Sequence, residues 1–86
     1  MINLTLPQKL TIGDRVMYSI NYTSLKCHVT GKVFKHVDVT KLIGTVITFV
    51  AWQYIAEVKF DDVSTLPIPL QRHTTWWVTS YKLDTV

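Results

Sequence analysis

From Thr45 to Val50 every residue is β-branched or aromatic, Thr-Val-Ile-Thr-Phe-Val, in a run opened by Gly44. Such side chains lose rotamer freedom in a helix and pack well on a pleated surface, so Ile43 to Trp52 is expected to be a central strand. The bias extends to the whole chain. Val, Ile, Thr and the ten aromatics make up 40 of its 86 residues, whereas Ala occurs twice. An all-β domain is therefore expected, and a chain this short has room for one core, giving a single domain over residues 1–86. No apolar run exceeds the four residues Phe49 to Trp52, so a membrane span is not expected.

The remaining strands follow from alternation. After Gly13-Asp14, the residues Val16, Tyr18 and Ile20 alternate with more polar positions, the period of a half-buried first strand. Residues 1–11, with Leu4, Leu6 and Leu10 around Pro7, form an N-terminal arm. Residues 21–42 form an insertion, expected as a hairpin whose arms, Lys26 to Val29 and Lys32 to Val39, meet at Thr30-Gly31. Strict alternation then turns Val33, Val37 and Val39 inward and Phe34 outward. Tyr54 to Phe60 pairs with the central strand, Ala56, Val58 and Phe60 facing one side. Pro67 and Pro69 mark Ser64 to Thr74 as a loop. Thr75 to Thr79 resumes the strand pattern with Trp76 inward and Trp77 outward, and Ser80 to Leu83 reads as one tight helical turn.

Four phrases occur in order: Ile12-Gly13-Asp14-Arg15-Val16, Ile43-Gly44-Thr45-Val46, Val58-Lys59-Phe60-Asp61-Asp62, and Trp77-Val78 followed by Leu83. Together they resemble the small SH3-like barrels of the KOW and Tudor type. The resemblance spans roughly residues 12–83 and implies a small antiparallel barrel, here with an extended basic hairpin or loop after the first core strand. It implies that a "GD-x-V" strand opens the sheet, a "GTV" strand follows a long loop, "V-x-F-D" pairs with it, and "W-V" leads into a 3-10 turn. Such barrels serve as nucleic-acid binders, methyl-lysine readers, peptide binders and structural plugs.

Charge narrows that choice. Residues 21–42 hold Lys26, Lys32, Lys35 and Lys41 against Asp38, a balance of +3 that equals the net charge of the chain. His28 and His36 lie in the same window and gain charge readily beside an anion. A localised basic segment implies an anionic ligand; the same lysines would also keep a strand edge soluble.

Chemistry for catalysis is sparse. Cys27 and His28 are neighbours, and adjacent residues of a strand point to opposite faces, so Cys27 reads as a small buried hydrophobe. Its solitary state fits a reducing, cytoplasmic setting, and the first 15 residues lack the pattern of a secretory signal. Cys27, His28, His36 and His73 lack the paired spacing of a zinc site, Asp61-Asp62 reads as a solvated strand end, and no glycine-rich phosphate loop is present. No catalytic residue, metal or cofactor is expected.

Two functions remain. The first is a non-catalytic nucleic-acid-binding module in which Lys26, Lys32, Lys35 and Lys41 meet phosphates, His28 and His36 assist, and Phe34 or Trp77 stacks on bases. The second is a protein-interaction module, an accessory subunit or a small inhibitor of a larger enzyme of the kind phages encode. It would use an apolar strip of Leu66, Ile68 and Leu70 together with Trp77. An aromatic cage of Trp52, Tyr54 and Trp77 with Asp61, suited to methylated lysine, is a further arrangement these residues permit.

Overall fold

The computed structural model describes residues 10–86, so most of the N-terminal arm lies outside the described residues. Seven strands appear in chain order: β1 (Arg15–Tyr18), β2 (Tyr22–Lys26), β3 (Val33–Asp38), β4 (Ile43–Val50), β5 (Ile55–Phe60), β6 (Thr75–Thr79) and β7 (Leu83–Thr85). Short 3-10 helices cover Ala51–Gln53, Ile68–Arg72 and Ser80–Lys82. The described residues contain no α-helix and are 48% strand. None of their helices is long and apolar enough to cross a membrane.

Five strands form one antiparallel sheet in the order β6-β5-β4-β1-β7, and β2 and β3 form a second sheet of two. As expected, β4 is central, with β1 on one side and β5 on the other. Gly44 permits that density. A Cβ added there would stand 2.5 Å from the Lys59 carbonyl oxygen, closer than real Cβ atoms approach.

Alternation sends Val16, Val46, Ala56, Val58, Phe60, Trp76 and Val78 to one face of the large sheet, where all are buried. The β2–β3 ribbon belongs to the same core: Leu25, Cys27, Val37 and Val39 are buried in the same cluster. The ribbon therefore lies over the inner sheet face. Leu10, at the end of the arm, is buried there as well.

Strict alternation fails in β3. Thr23 pairs with Val37 and Leu25 with Phe34, so two steps on β2 match three on β3. The extra residue is accommodated at His36, whose φ of 57° lies in the left-handed region, a bulge geometry that re-aims side chains. Phe34 consequently packs partly against the core while Val33 is half exposed, the reverse of the sequence expectation; Val37 and Val39 face inward as expected. The connection is also wider than two residues. Cys27 and Lys32 close it through a backbone bond of 2.9 Å, and Gly31, at φ 75°, donates back to the Cys27 carbonyl.

The segment with two prolines departs further from expectation. It is not wholly a loop, because Ile68–Arg72 coils into a 3-10 helix. Leu66 donates to the Val63 carbonyl and Leu70 to that of Pro67, and these turns put both leucines into the core at 3% and 0% exposure. Only Ile68 remains on the surface, at 78%. The exposed apolar strip of Leu66, Ile68 and Leu70 does not exist as such; the segment closes one end of the core.

Substituting Gly44→Ala forces β4 away from the Lys59 carbonyl, and a loss of about 1–3 kcal/mol is expected from such overpacking. Urea denaturation monitored by tryptophan fluorescence checks it; an unchanged midpoint would show that the β4–β5 contact is looser than described.

Candidate ligand surfaces

The ribbon's inner residues fix where its lysines go. Leu25 and Cys27 are buried while Lys26 between them is exposed, and Lys32, Lys35 and Lys41 are exposed too. None of the four forms a salt bridge among the described residues, whose single ion pair joins Arg15 to Asp61. Asp38, the one acid of the segment, is engaged by its own turn. It accepts bonds from the Thr40 amide at 2.9 Å and the Thr40 hydroxyl at 2.6 Å, which hold its carboxyl below the ordinary range. Asp38 thus stays ionised and also interacts electrostatically with Lys41, so the segment keeps the +3 balance of its sequence.

The expected stacking partners are not arranged for that role. Phe34 is half-buried, and the Lys32 ammonium stands 5.0 Å from its ring centroid, a cation–π contact. Trp76 faces inward and meets the His28 ring of the ribbon at 4.9 Å. Trp77, 51% exposed, must then point from the opposite face of the sheet. The ribbon and Trp77 are on different sides of the molecule, so the set Lys26, His28, Lys32, Phe34, Lys35, His36, Lys41 and Trp77 divides into two. Both histidines are exposed, His36 at the bulge and His28 in a ring cluster with His73 at 4.5 Å and Trp76. Tyr22, 59% exposed at the start of β2, is an aromatic on the ribbon that the sequence reading passed over.

The cage fares no better. Tyr54 and Asp61 flank β5, six residues or about 20 Å of extended chain apart, and Asp61 is bound to Arg15 through both carboxylate oxygens. Guanidinium bonding holds the Asp61 carboxyl below its ordinary range. Tyr54 instead meets Tyr81, ring centroids 5.9 Å apart, two residues from Trp52, which is 79% exposed. Tyr54 takes a left-handed conformation at φ 54° as the chain leaves the 3-10 helix for β5, and the Ser80 amide donates to its carbonyl at 2.8 Å.

One pairing was invisible in the sequence. His73 Nε2 stands 3.9 Å from Cys27 Sγ although 46 positions separate them. The sulfur is buried as expected but is not a plain hydrophobe. Bonds from the Thr30 hydroxyl and amide, from His73 and from the Val29 amide lower the thiol from 9.0 to about 6. A pocket of about 250 Å3 opens beside it, lined by Cys27, Val29 and Thr30 of the ribbon turn and by Ile68, Pro69 and Arg72 of the 3-10 helix. Among the described residues no hydrogen bond joins the His73 ring to a carboxylate, and Asp61 is bound to Arg15. No three His, Cys, Asp or Glu side chains converge for a metal among the described residues.

Comparison with family models, with curated proteins and with solved structures finds no match to this chain.

Because the folded thiol loses its proton more easily than the unfolded one, its contribution to stability is complete above about pH 9 and is lost as pH falls through about 6. Iodoacetamide labelling of Cys27, followed by mass spectrometry, should rise with a midpoint near pH 6, and His73→Ala should move that midpoint upward. A midpoint in the ordinary thiol range would contradict the assigned hydrogen bonds.

Proposed function

We propose that this chain is a non-catalytic, SH3-like module of a reducing, cytoplasmic environment that binds nucleic acid through the outer face of the β2–β3 ribbon. The observation that carries the reading is the set of four exposed lysines, Lys26, Lys32, Lys35 and Lys41, without a salt-bridge partner among the described residues. Ammonium groups that meet phosphate oxygens release condensed counterions, the main source of sequence-independent affinity. His36 and Tyr22 lie on the same ribbon and supply a hydrogen-bonding ring and a stacking surface. The SH3-like reading is supported by two features that the resemblance implies: β4 pairs with β5, and β6 runs directly into a 3-10 helix.

A second reading has its own observation. Trp52, Tyr54, Tyr81 and Trp77 are exposed at 79%, 44%, 59% and 51%, which suits aromatic anchors for a protein partner. That reading now rests on these four and Ile68, without Leu66 and Leu70.

Salt separates the two. Titration of labelled single-stranded and duplex oligonucleotides should give an affinity that falls with salt. The slope should be about −0.7 per contacted phosphate on single strands and −0.9 on duplex. Replacing the four lysines by glutamine should reduce that slope by about three and leave the far-ultraviolet spectrum unchanged. Absence of binding at low salt, or binding indifferent to the four substitutions, would refute the ribbon assignment.

A further inference from the structure

The edge strand β6 carries a pairing surface of its own. On the β5 side, the Phe60 amide donates to the Thr74 carbonyl and the Ser80 amide to that of Tyr54, each at 2.8 Å. In an antiparallel ladder bonded and non-bonded pairs alternate. With the register Ile55 to Thr79, Glu57 to Trp77 and Lys59 to Thr75, Trp76 and Val78 bond to β5. The N–H and C=O groups of Thr75, Trp77 and Thr79 are directed away from it. Among the described residues β6 pairs with β5 alone; the Thr79 carbonyl also caps the Ser80–Lys82 3-10 helix, and outside helices and strands no backbone bond reaches Thr75, Trp77 or the Thr79 amide.

An open edge is normally guarded by charge, proline, a bulge or shortness. Thr-Trp-Trp-Val-Thr has no charge and no proline, and its register with β5 is unbroken. The other edges are guarded: β7 has three residues and carries Asp84, while β2 and β3 carry Lys26 and Lys35. Self-pairing at those strands would bring like charges together, and self-pairing at β6 opposes none.

We propose that the chain forms a twofold-symmetric dimer by antiparallel pairing of β6 with β6 of a second copy, centred on Trp77. The occupant is a second copy because the outward-facing groups are self-complementary. With Trp77 opposite Trp77, Thr75 falls opposite Thr79 of the other chain, and every edge-facing residue meets an edge-facing residue. The Trp77 pair then exchanges two hydrogen bonds and each Thr79 amide donates to a Thr75 carbonyl of the other chain, four bonds that leave the Thr79 carbonyls to the 3-10 helix. The two Trp77 rings adjoin on the outer sheet face, a favourable cross-strand aromatic pair, flanked by two Thr–Thr pairs. The two five-stranded sheets become one continuous sheet. This arrangement uses neither the ribbon lysines nor the Cys27 pocket and stands independently of nucleic-acid binding.

Analytical ultracentrifugation of the full chain across the micromolar to sub-millimolar range tests it, with a species of twice 9.9 kDa expected. The decisive variant is Thr79→Pro. Thr79 has φ −62°, which proline adopts without strain, and its amide has no acceptor on the β5 side. The variant should keep the far-ultraviolet spectrum of the parent and raise the dimer dissociation constant about tenfold or more. Trp77→Lys, which opposes two ammonium groups at the centre, should do the same and serves if the proline variant fails to fold. A chain that stays monomeric throughout the range overturns the proposal, whichever strand then covers β6. So does a dimer that persists unchanged in a folded variant.

Discussion

Seating of the β2–β3 ribbon on the inner face of the large sheet is the contact on which the rest of the molecule depends. Leu25, Cys27, Val37 and Val39 enter the same cluster as Val46, Val58 and Phe60, and burying each aliphatic chain contributes roughly 1.5–3 kcal/mol. The bulge at His36 makes this possible. Without the additional residue, Phe34 and Val37 could not both turn toward the sheet. The same shift turns Lys35 to the outer side that Lys26 shares, while Lys32 stays on the side of Phe34, whose ring its ammonium covers.

The ribbon tip is fixed by chemistry as well as by packing. His28 rests against His73 and Trp76, and Cys27 approaches His73 from the same turn. These contacts join the ribbon to the segment before β6 without a disulfide or a charged pair. They also make Trp76 a wall of the interior and leave Trp77 on the far side. Adjacent tryptophans thus serve opposite faces of one strand, as alternation requires.

Much of this was legible in the sequence, and the failures are informative. The central position of β4, the inward set Val16, Val58, Phe60 and Trp76, and the 3-10 turn at Ser80–Lys82 follow from periodicity and local chemistry. The reversal of Val33 and Phe34 does not, because the left-handed residue is a histidine rather than the glycine that would announce a bulge. Leu66 and Leu70 were misplaced because prolines signal the absence of a strand and say nothing of which side chains a 3-10 helix buries. The Cys27–His73 pair needed tertiary structure, as no local spacing joins residues 46 positions apart. Division of the lysines from Trp77 was likewise hidden, since alternation assigns a residue to a face but does not tell which face the ribbon covers.

The central claim is that the ribbon face alone meets the ligand while the opposite sheet face does not. It is tested most directly by following the amide and indole resonances of the isotopically labelled chain as a single-stranded oligonucleotide is added at low salt. The account predicts that perturbed amides gather in residues 22–41, around Lys26, Lys32, Lys35 and Lys41, with the Trp77 indole unmoved. Perturbations concentrated on Trp77, Trp52 and Tyr81, with the ribbon silent, would contradict it.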